Sequence, residues 1–287
     1  MTPDRTTPTV PGAHPAVGLV RACHLQPTLA VVAVTTSLAV LAGRGPAGCT
    51  AVALAVLAGQ LSTGWSNDWF DAGRDRSVAR MDKPIVAGDV SVGVVRAAAC
   101  TALVAAVPLS LLSGWRAALV HLVAIGSAWA YNLGLKATVI SPLPYALSFG
   151  LLPAFVTLGL PGHPWPRPAL MVATALLGVG AHFVNTLADR EDDARSGIAG
   201  LPQRMTARGA LFTGVALLTW CAVTIWLLGG SERVAQTALL VVTFGAAALV
   251  VATSLRSRPR AAWSWTLVTV LGCLAMFAVS RPSLVVG

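Results

Sequence analysis

The chain has 287 residues, of which 55% are hydrophobic and only 11% charged. A soluble domain carries roughly 25% charged residues, so the composition excludes a soluble enzyme, a secreted disulfide scaffold and a disordered tail protein. The net charge of +9 comes from Arg and Lys scattered over short loops, the distribution that membrane topology uses, so no nucleic-acid partner is expected.

Residues 1–16 are Pro-rich and lack an apolar stretch, so they read as a flexible tail and not as a signal peptide. Residues 17–287 read as a single transmembrane domain. A bilayer core needs about 20 apolar residues per helix. Nine runs qualify: 25–43, 47–65, 91–113, 115–133, 139–160, 168–187, 207–229, 232–255 and 261–280. They are rich in Ala, Gly, Val and Leu, and small residues let membrane helices approach closely. The expected architecture is all-α: nine transmembrane helices around a central cavity, as two parallel four-helix pseudo-repeats plus a ninth helix. Cys23, Cys49, Cys100, Cys221 and Cys273 show no metal-ligand spacing and read as small apolar core residues.

Nine spans place 15 of the 20 Lys and Arg on the side of the N-terminus and 5 on the other. The positive-inside rule then makes the N-terminus cytoplasmic and the C-terminus external. Ten of the 11 acids share the cytoplasmic side, with Glu232 alone opposite. Acids contribute little to orientation, so this clustering points to a site on the cytoplasmic face.

Two charged loops, 66–90 and 188–206, hold most of these acids. At an offset of 118, Asn67 falls on Asn185, Asp71 on Asp189, Asp75 on Asp193 and Pro84 on Pro202. Four spans separate the loops, which predicts a parallel repeat about an axis along the membrane normal. Residues three and four apart share a helix face, so Asn67, Asp71 and Asp75, with Asp68 beside them, predict an acidic stripe continuing span 2. Asn185, Asp189 and Asp193 predict its counterpart continuing span 6. Like charges so placed repel, and a cation would neutralise them. Oxygen ligands without His or Cys favour Mg²⁺, which is commonly held by one or two carboxylates plus substrate phosphates. Arg74, Lys83, Lys136, Arg190 and Arg204 lie where they could contact the same phosphates. A diphosphate held at the mouth of an apolar bundle implies an apolar tail inside it, hence an isoprenyl diphosphate. Breaking its allylic bond leaves a carbocation that aromatic faces can stabilise. The candidates are Trp65, Trp69, Phe70, Trp129, Tyr131, Tyr145, Phe149 and Phe183, each of which could equally pack or anchor at the interface.

The stretch NDWFDAGRD, Asn67 to Asp75, resembles the NDxxDxxxD motif of UbiA-type intramembrane prenyltransferases, and DREDDARSG, Asp189 to Gly197, resembles their second motif. The resemblance implies Mg²⁺-dependent transfer of a prenyl chain from its diphosphate to an aromatic or other small acceptor, within the lipid bilayer. It implies Asp68, Asp71, Asp75, Asp189 and Asp193 as metal ligands. It implies Asn67, Lys83, Lys136 and Arg21 around the diphosphate, which Arg74, Asn185 and Arg204 join by their place beside the two stripes. Asp71, Asp189, Lys136 and Tyr131 are the expected catalytic residues, with Tyr131 and Lys136 matching the family's Tyr…Lys element. The segment GIAGLPQR is similar to a poorly characterised bacterial branch, which implies a bacterial cell membrane and leaves the acceptor open. A terpene cyclase of the same family and a polyprenyl-phosphate phosphoribosyl-type transferase are the alternatives. A transporter is disfavoured because seven spans carry no acid in their central parts.

Overall fold

The computed structural model describes residues 15–230, 232–280 and 284–285. The expected tail therefore lies outside the described residues up to position 14, as does Arg281; Pro15 and Ala16 already belong to a helix. Apart from one isolated antiparallel bridge, Pro166 with Val285, every regular element among the described residues is helical. In chain order they are α1 (Pro15–Ala22), α2 (Leu25–Leu41), α3 (Pro46–Ser77), α4 (Pro84–Ala87), α5 (Val92–Leu111) and α6 (Trp115–Leu133). A single 3₁₀ turn (Leu135–Ala137) precedes α7 (Pro142–Gly150), α8 (Leu152–Thr157) and α9 (Pro168–Asn185). Then come α10 (Arg190–Ser196), α11 (Leu201–Arg204), α12 (Ala207–Leu228), α13 (Arg233–Leu255) and α14 (Pro259–Ser280).

Local chemistry sets these boundaries. Helices α3, α4, α7 and α9 each open on Pro, whose missing N–H costs nothing in a first turn. Ser91 caps α5 by accepting from the Val94 N–H at 3.3 Å, and Thr206 caps α12 by accepting from Gly209 at 3.0 Å. At Gly180 and Gly214 helices α9 and α12 come so close that a Cβ on either would meet the other's carbonyl oxygen, at 2.9 and 3.1 Å. The main core, including Phe155, Leu158, Leu218 and Met276, lies between these rods. The outer faces are apolar as well: Val104, Val241 and Trp220 are each more than 60% exposed. A surface of this kind suits lipid.

Six helices among the described residues are long and apolar enough to cross a membrane: α3, α5, α9, α12, α13 and most of α14. The pair α1–α2, bent by 59°, makes a seventh if it counts as one span. The other two expected spans differ from simple rods. Helix α6 carries Arg116, His121 and Asn132, and α7–α8 is a shorter apolar segment broken next to Pro153.

Two expectations about the charged loops are corrected. The segment 66–90 is helical as far as Ser77, so the first acidic stripe lies on α3 itself. The second stripe does not continue its helix: α9 stops at Asn185 and Asp189 opens α10. Carboxylates are unfavourable at a helix C-terminus and favourable at an N-terminus. The run Glu191-Asp192-Asp193 accordingly fills the first turn of a new helix.

Candidate active site

A cavity of about 340 Å³ runs between α2, α3, α6, α7, α9 and α10. One wall is a single face of α3: Gln60, Thr63, Asn67, Asp71 and Arg74 recur every three or four residues, with Asp75 at the same end. Asp189, Asp192 and Asp193 contribute from the start of α10. Toward the interior the lining becomes aromatic. Tyr131 and Tyr145 meet edge to face at 5.1 Å, and Phe149 is stacked on Tyr145 at 6.3 Å. Behind them the buried His182 ring stacks on Tyr145 at 4.4 Å and fixes its plane.

The acids at the mouth are met by bases. Asp71 is paired with both Lys136 and Arg74. Burial lowers the Lys136 pKa although Asp71 opposes the shift. Arg80 donates to Asp189 at 3.1 Å, lies 3.2 Å from Asp192 and holds Asp82 at 2.8 Å, so one guanidinium joins the two acidic segments. Asp193 accepts from Gln203 Nε2 at 2.7 Å; burial nonetheless raises its pKa, with Asp189 acting in the same direction. Asn67 Nδ2 donates to Asn132 Oδ1 at 3.2 Å, and Asn132 is anchored in turn on Ser66 and the Thr63 carbonyl.

Of the residues expected from the sequence, Asn67, Asp71, Arg74, Asp75, Lys83, Tyr131, Lys136, Asn185, Asp189 and Asp193 line this one cavity. Four others do not. Asp68 is buried behind the wall, bonded to His24 at 3.0 Å and Lys83 at 2.8 Å. Burial works against the Lys83 ammonium, yet the Asp68 carboxylate outweighs it and the Lys83 pKa is raised. Arg21 is turned to Asp89 and the Asp82 carbonyl. Arg190 binds the carbonyls of Pro202, Gln203 and Met205, and Arg204 binds that of Ala199, so both brace their own loop. Among the aromatic candidates, Trp69, Phe70 and Trp129 pack on one another and Trp65 donates to the Leu19 carbonyl. Arg80, Asp192, Gln203, His24 and Trp263 line the cavity without having been anticipated. Only Arg80 and Asp192 carried a signal, as extra charges beside the two motifs.

Among the described residues no three His, Cys, Asp or Glu side chains gather into a self-sufficient metal site. The donor set still suits a hard cation, since Mg²⁺ needs only one or two carboxylates when phosphate oxygens complete its shell. Five carboxylates and four Arg or Lys line the cavity, close to neutrality. A prenyl diphosphate adds about three negative charges, which divalent cations would balance.

A bundle of membrane-length helices, with a charged mouth leading to an aromatic interior, defines a membrane protein built to hold a ligand with an anionic head and an apolar body. The sequence matches the UbiA prenyltransferase family over residues 28–281, and the chain belongs to that family. No curated protein matches it. Among solved structures, a UbiA homologue from Aeropyrum pernix K1 in its apo form superposes with TM-score 0.70 at 20% identity, over 89% of this chain and 98% of that one. A UbiA homologue from Archaeoglobus fulgidus bound to DMAPP and Mg²⁺ gives 0.65 at 16% identity, over 91% and 99%. A digeranylgeranylglyceryl phosphate synthase gives 0.66 at 15% identity, over 93% and 98%. At these identities the likeness concerns the fold.

Proposed function

We propose that the protein is a Mg²⁺-dependent intramembrane prenyltransferase that ionises an isoprenyl diphosphate and passes the prenyl group to an aromatic or other small acceptor. The observation that carries this reading is the cavity itself: Asp71 and Asp75 from α3 and Asp189 and Asp193 from α10 border one space that continues into an aromatic interior. The A. fulgidus homologue, which binds DMAPP and Mg²⁺ in the same fold, supports it. These four Asp would hold Mg²⁺ against the diphosphate, where the metal acts as a Lewis acid on the leaving group. Lys136, Arg74, Lys83 and Arg80 would donate to the remaining phosphate oxygens. Asn67 and Asn185 offer neutral amides at the same mouth. Asp68 holds Lys83 and His24 in place from behind. The faces of Tyr131, Tyr145 and Phe149 would stabilise the positive charge left on the prenyl group and shield it from water.

In this reading α1–α2, α6 and the broken α7–α8 also cross the bilayer, giving nine spans as two pseudo-repeats and a ninth helix. The acidic mouth faces the cytoplasm of a bacterial cell. The experiment is product analysis on purified protein in nanodiscs with Mg²⁺ and geranyl, farnesyl or geranylgeranyl diphosphate, with and without phenolic acceptors. Prenylated acceptor that disappears with EDTA and returns with Mg²⁺ is the expected result. Metal-independent turnover, or no consumption of any diphosphate, would refute it.

A further inference from the structure

At its inner end the cavity continues into a second space of about 30 Å³, and Val31, Gln60, Thr63, Ala128, Ser148 and Phe149 border both. Beyond them the lining is mostly aliphatic, from residues such as Val56, Ile125 and Leu152, but His121 interrupts it. His121 is 3% exposed. Its Nδ1 pairs with Ser110 Oγ at 2.7 Å and its ring stacks on Phe155 at 4.3 Å. Its Nε2 has no hydrogen-bond partner among the described residues and abuts Gly59 of α3, beside Gln60. The Gln60 amide, at mid-helix in a span, is likewise without a partner among them. Two unpaired polar groups thus close the far end of an apolar cavity, where hydrocarbon would be expected.

We propose that Gln60 and His121 form a polar stop that sets the length of the prenyl tail, favouring three five-carbon units over four. The proposal rests on the prenyl-diphosphate reading above. Gln60 lies eleven residues before Asp71 on the same face of α3. At about 1.5 Å per residue the amide is about 16 Å deeper than the carboxylate, room for roughly three extended isoprene units. A fourth unit would press hydrocarbon onto the amide and the imidazole Nε2 and leave both cut off from water, which is costly for buried polar groups. A shorter tail leaves the inner space to water: about 30 Å³ is enough for one molecule bridging the two groups.

The test is acceptor-independent. The affinities of farnesyl and geranylgeranyl thiolodiphosphates, which resist ionisation, are measured with Mg²⁺ on wild-type protein, Gln60→Leu and His121→Phe in nanodiscs. The farnesyl analogue should bind the wild type more tightly than the geranylgeranyl analogue. Either substitution should move that ratio toward geranylgeranyl by about tenfold, with the farnesyl affinity nearly unchanged. Each variant alone suffices if the other fails to fold. A wild type that prefers geranylgeranyl, or a ratio that stays constant in a folded variant, overturns the polar stop while leaving the diphosphate site intact. A wild type that binds neither analogue refutes the prenyl-diphosphate reading itself.

Discussion

Gly200 gives the sharpest test of how the two acidic segments are held in register. Its backbone, with φ −67° and ψ 173°, is one that any residue can adopt, so only space excludes a side chain. A Cβ at this position would lie 2.5 Å from the Lys136 carbonyl oxygen, 2.8 Å from Ser141 Oγ and 2.8 Å from Gln203 Oε1. The first of these is backbone and cannot swing away. Ser141 Oγ also accepts from the Leu201 N–H at 3.0 Å, and Gln203 is the residue that holds Asp193. Gly200→Ala therefore has to push the α10–α11 segment off the turn that carries Lys136. Overpacking costs about 1–3 kcal/mol, and losing the Leu201 hydrogen bond adds about 1 kcal/mol. The control is Gly73→Ala, between Asp71 and Arg74 on α3, where a Cβ meets nothing within 4 Å. There Ala should stabilise by about 0.5–1 kcal/mol. Thermal unfolding in detergent should rank Gly200→Ala below wild type and Gly73→Ala at or above it, and only the first should raise the Mg²⁺ concentration needed for half-maximal turnover. A Gly200→Ala protein as stable and as active as wild type would refute the reasoning.

Asp71→Asn should abolish turnover and also destabilise, because it strips the buried Lys136 of its carboxylate, a loss of about 3–5 kcal/mol for a buried pair; adding Lys136→Met should recover stability in a melt but not activity. Asp189→Asn, at a half-exposed position, should leave the melt nearly unchanged while turnover falls at least about 100-fold. For pH, an acid with a raised pKa protonates early as pH falls, and a base with a lowered pKa deprotonates early as pH rises. The profile of kcat/KM, which reports the free enzyme, should therefore fall on its acid side at a pH above the ordinary Asp value of 3.8 through Asp193 and on its alkaline side at a pH below 10.5 through Lys136; Lys136→Arg should move the alkaline limb upward, and a fixed limb would clear Lys136 of that role. A cysteine replacing Glu232 should react with an impermeant maleimide from outside the cell, and one replacing Ser77 only after the membrane is opened; the reverse pattern would overturn the orientation.

The first acidic wall was legible in the sequence because α3 outlasts its membrane span. A spacing of four, maintained on one continuous helix, fixes a face, and Asn67, Asp71 and Asp75 share it. Asp68 belongs to the same motif yet sits behind the wall. Asp68 follows the cavity-lining Asn67 by one residue, a rotation of about 100° around the helix, which turns it from the cavity toward His24 and Lys83. The second motif misled for a different reason: spacing cannot reveal that a helix has stopped, and here α9 ends at Asn185 and Asp189 opens a new helix. Arg21, Arg190 and Arg204 were near the motifs in sequence, but each found closer partners, an acid or loop carbonyls. His24 left no signal, since its contact with Asp68 depends on the left-handed turn at the α1–α2 bend, where its φ is 53°.

Arg80 shows why the paired charges at the mouth are more than mutual neutralisation. It follows α3 and pairs with Asp82 of its own loop, yet it also holds Asp189 and Asp192 of the other. Its side chain is only 15% exposed, so these contacts are weakly screened by solvent. One planar guanidinium thus fixes the distance between two segments whose order in the chain is more than a hundred residues apart. The same fork geometry matches phosphate oxygens. A diphosphate entering the cavity would compete with Asp189 and Asp192 for Arg80 and free those carboxylates for a metal. The exchange conserves charge-assisted contacts: the base moves from acid to phosphate as the acid moves from base to cation. A lone divalent ion would have to draw Asp71, Asp189 and Asp192 away from the bases they already hold. On the proposed reading the ion and the diphosphate would enter together, and metal binding would be coupled to the arrival of the donor.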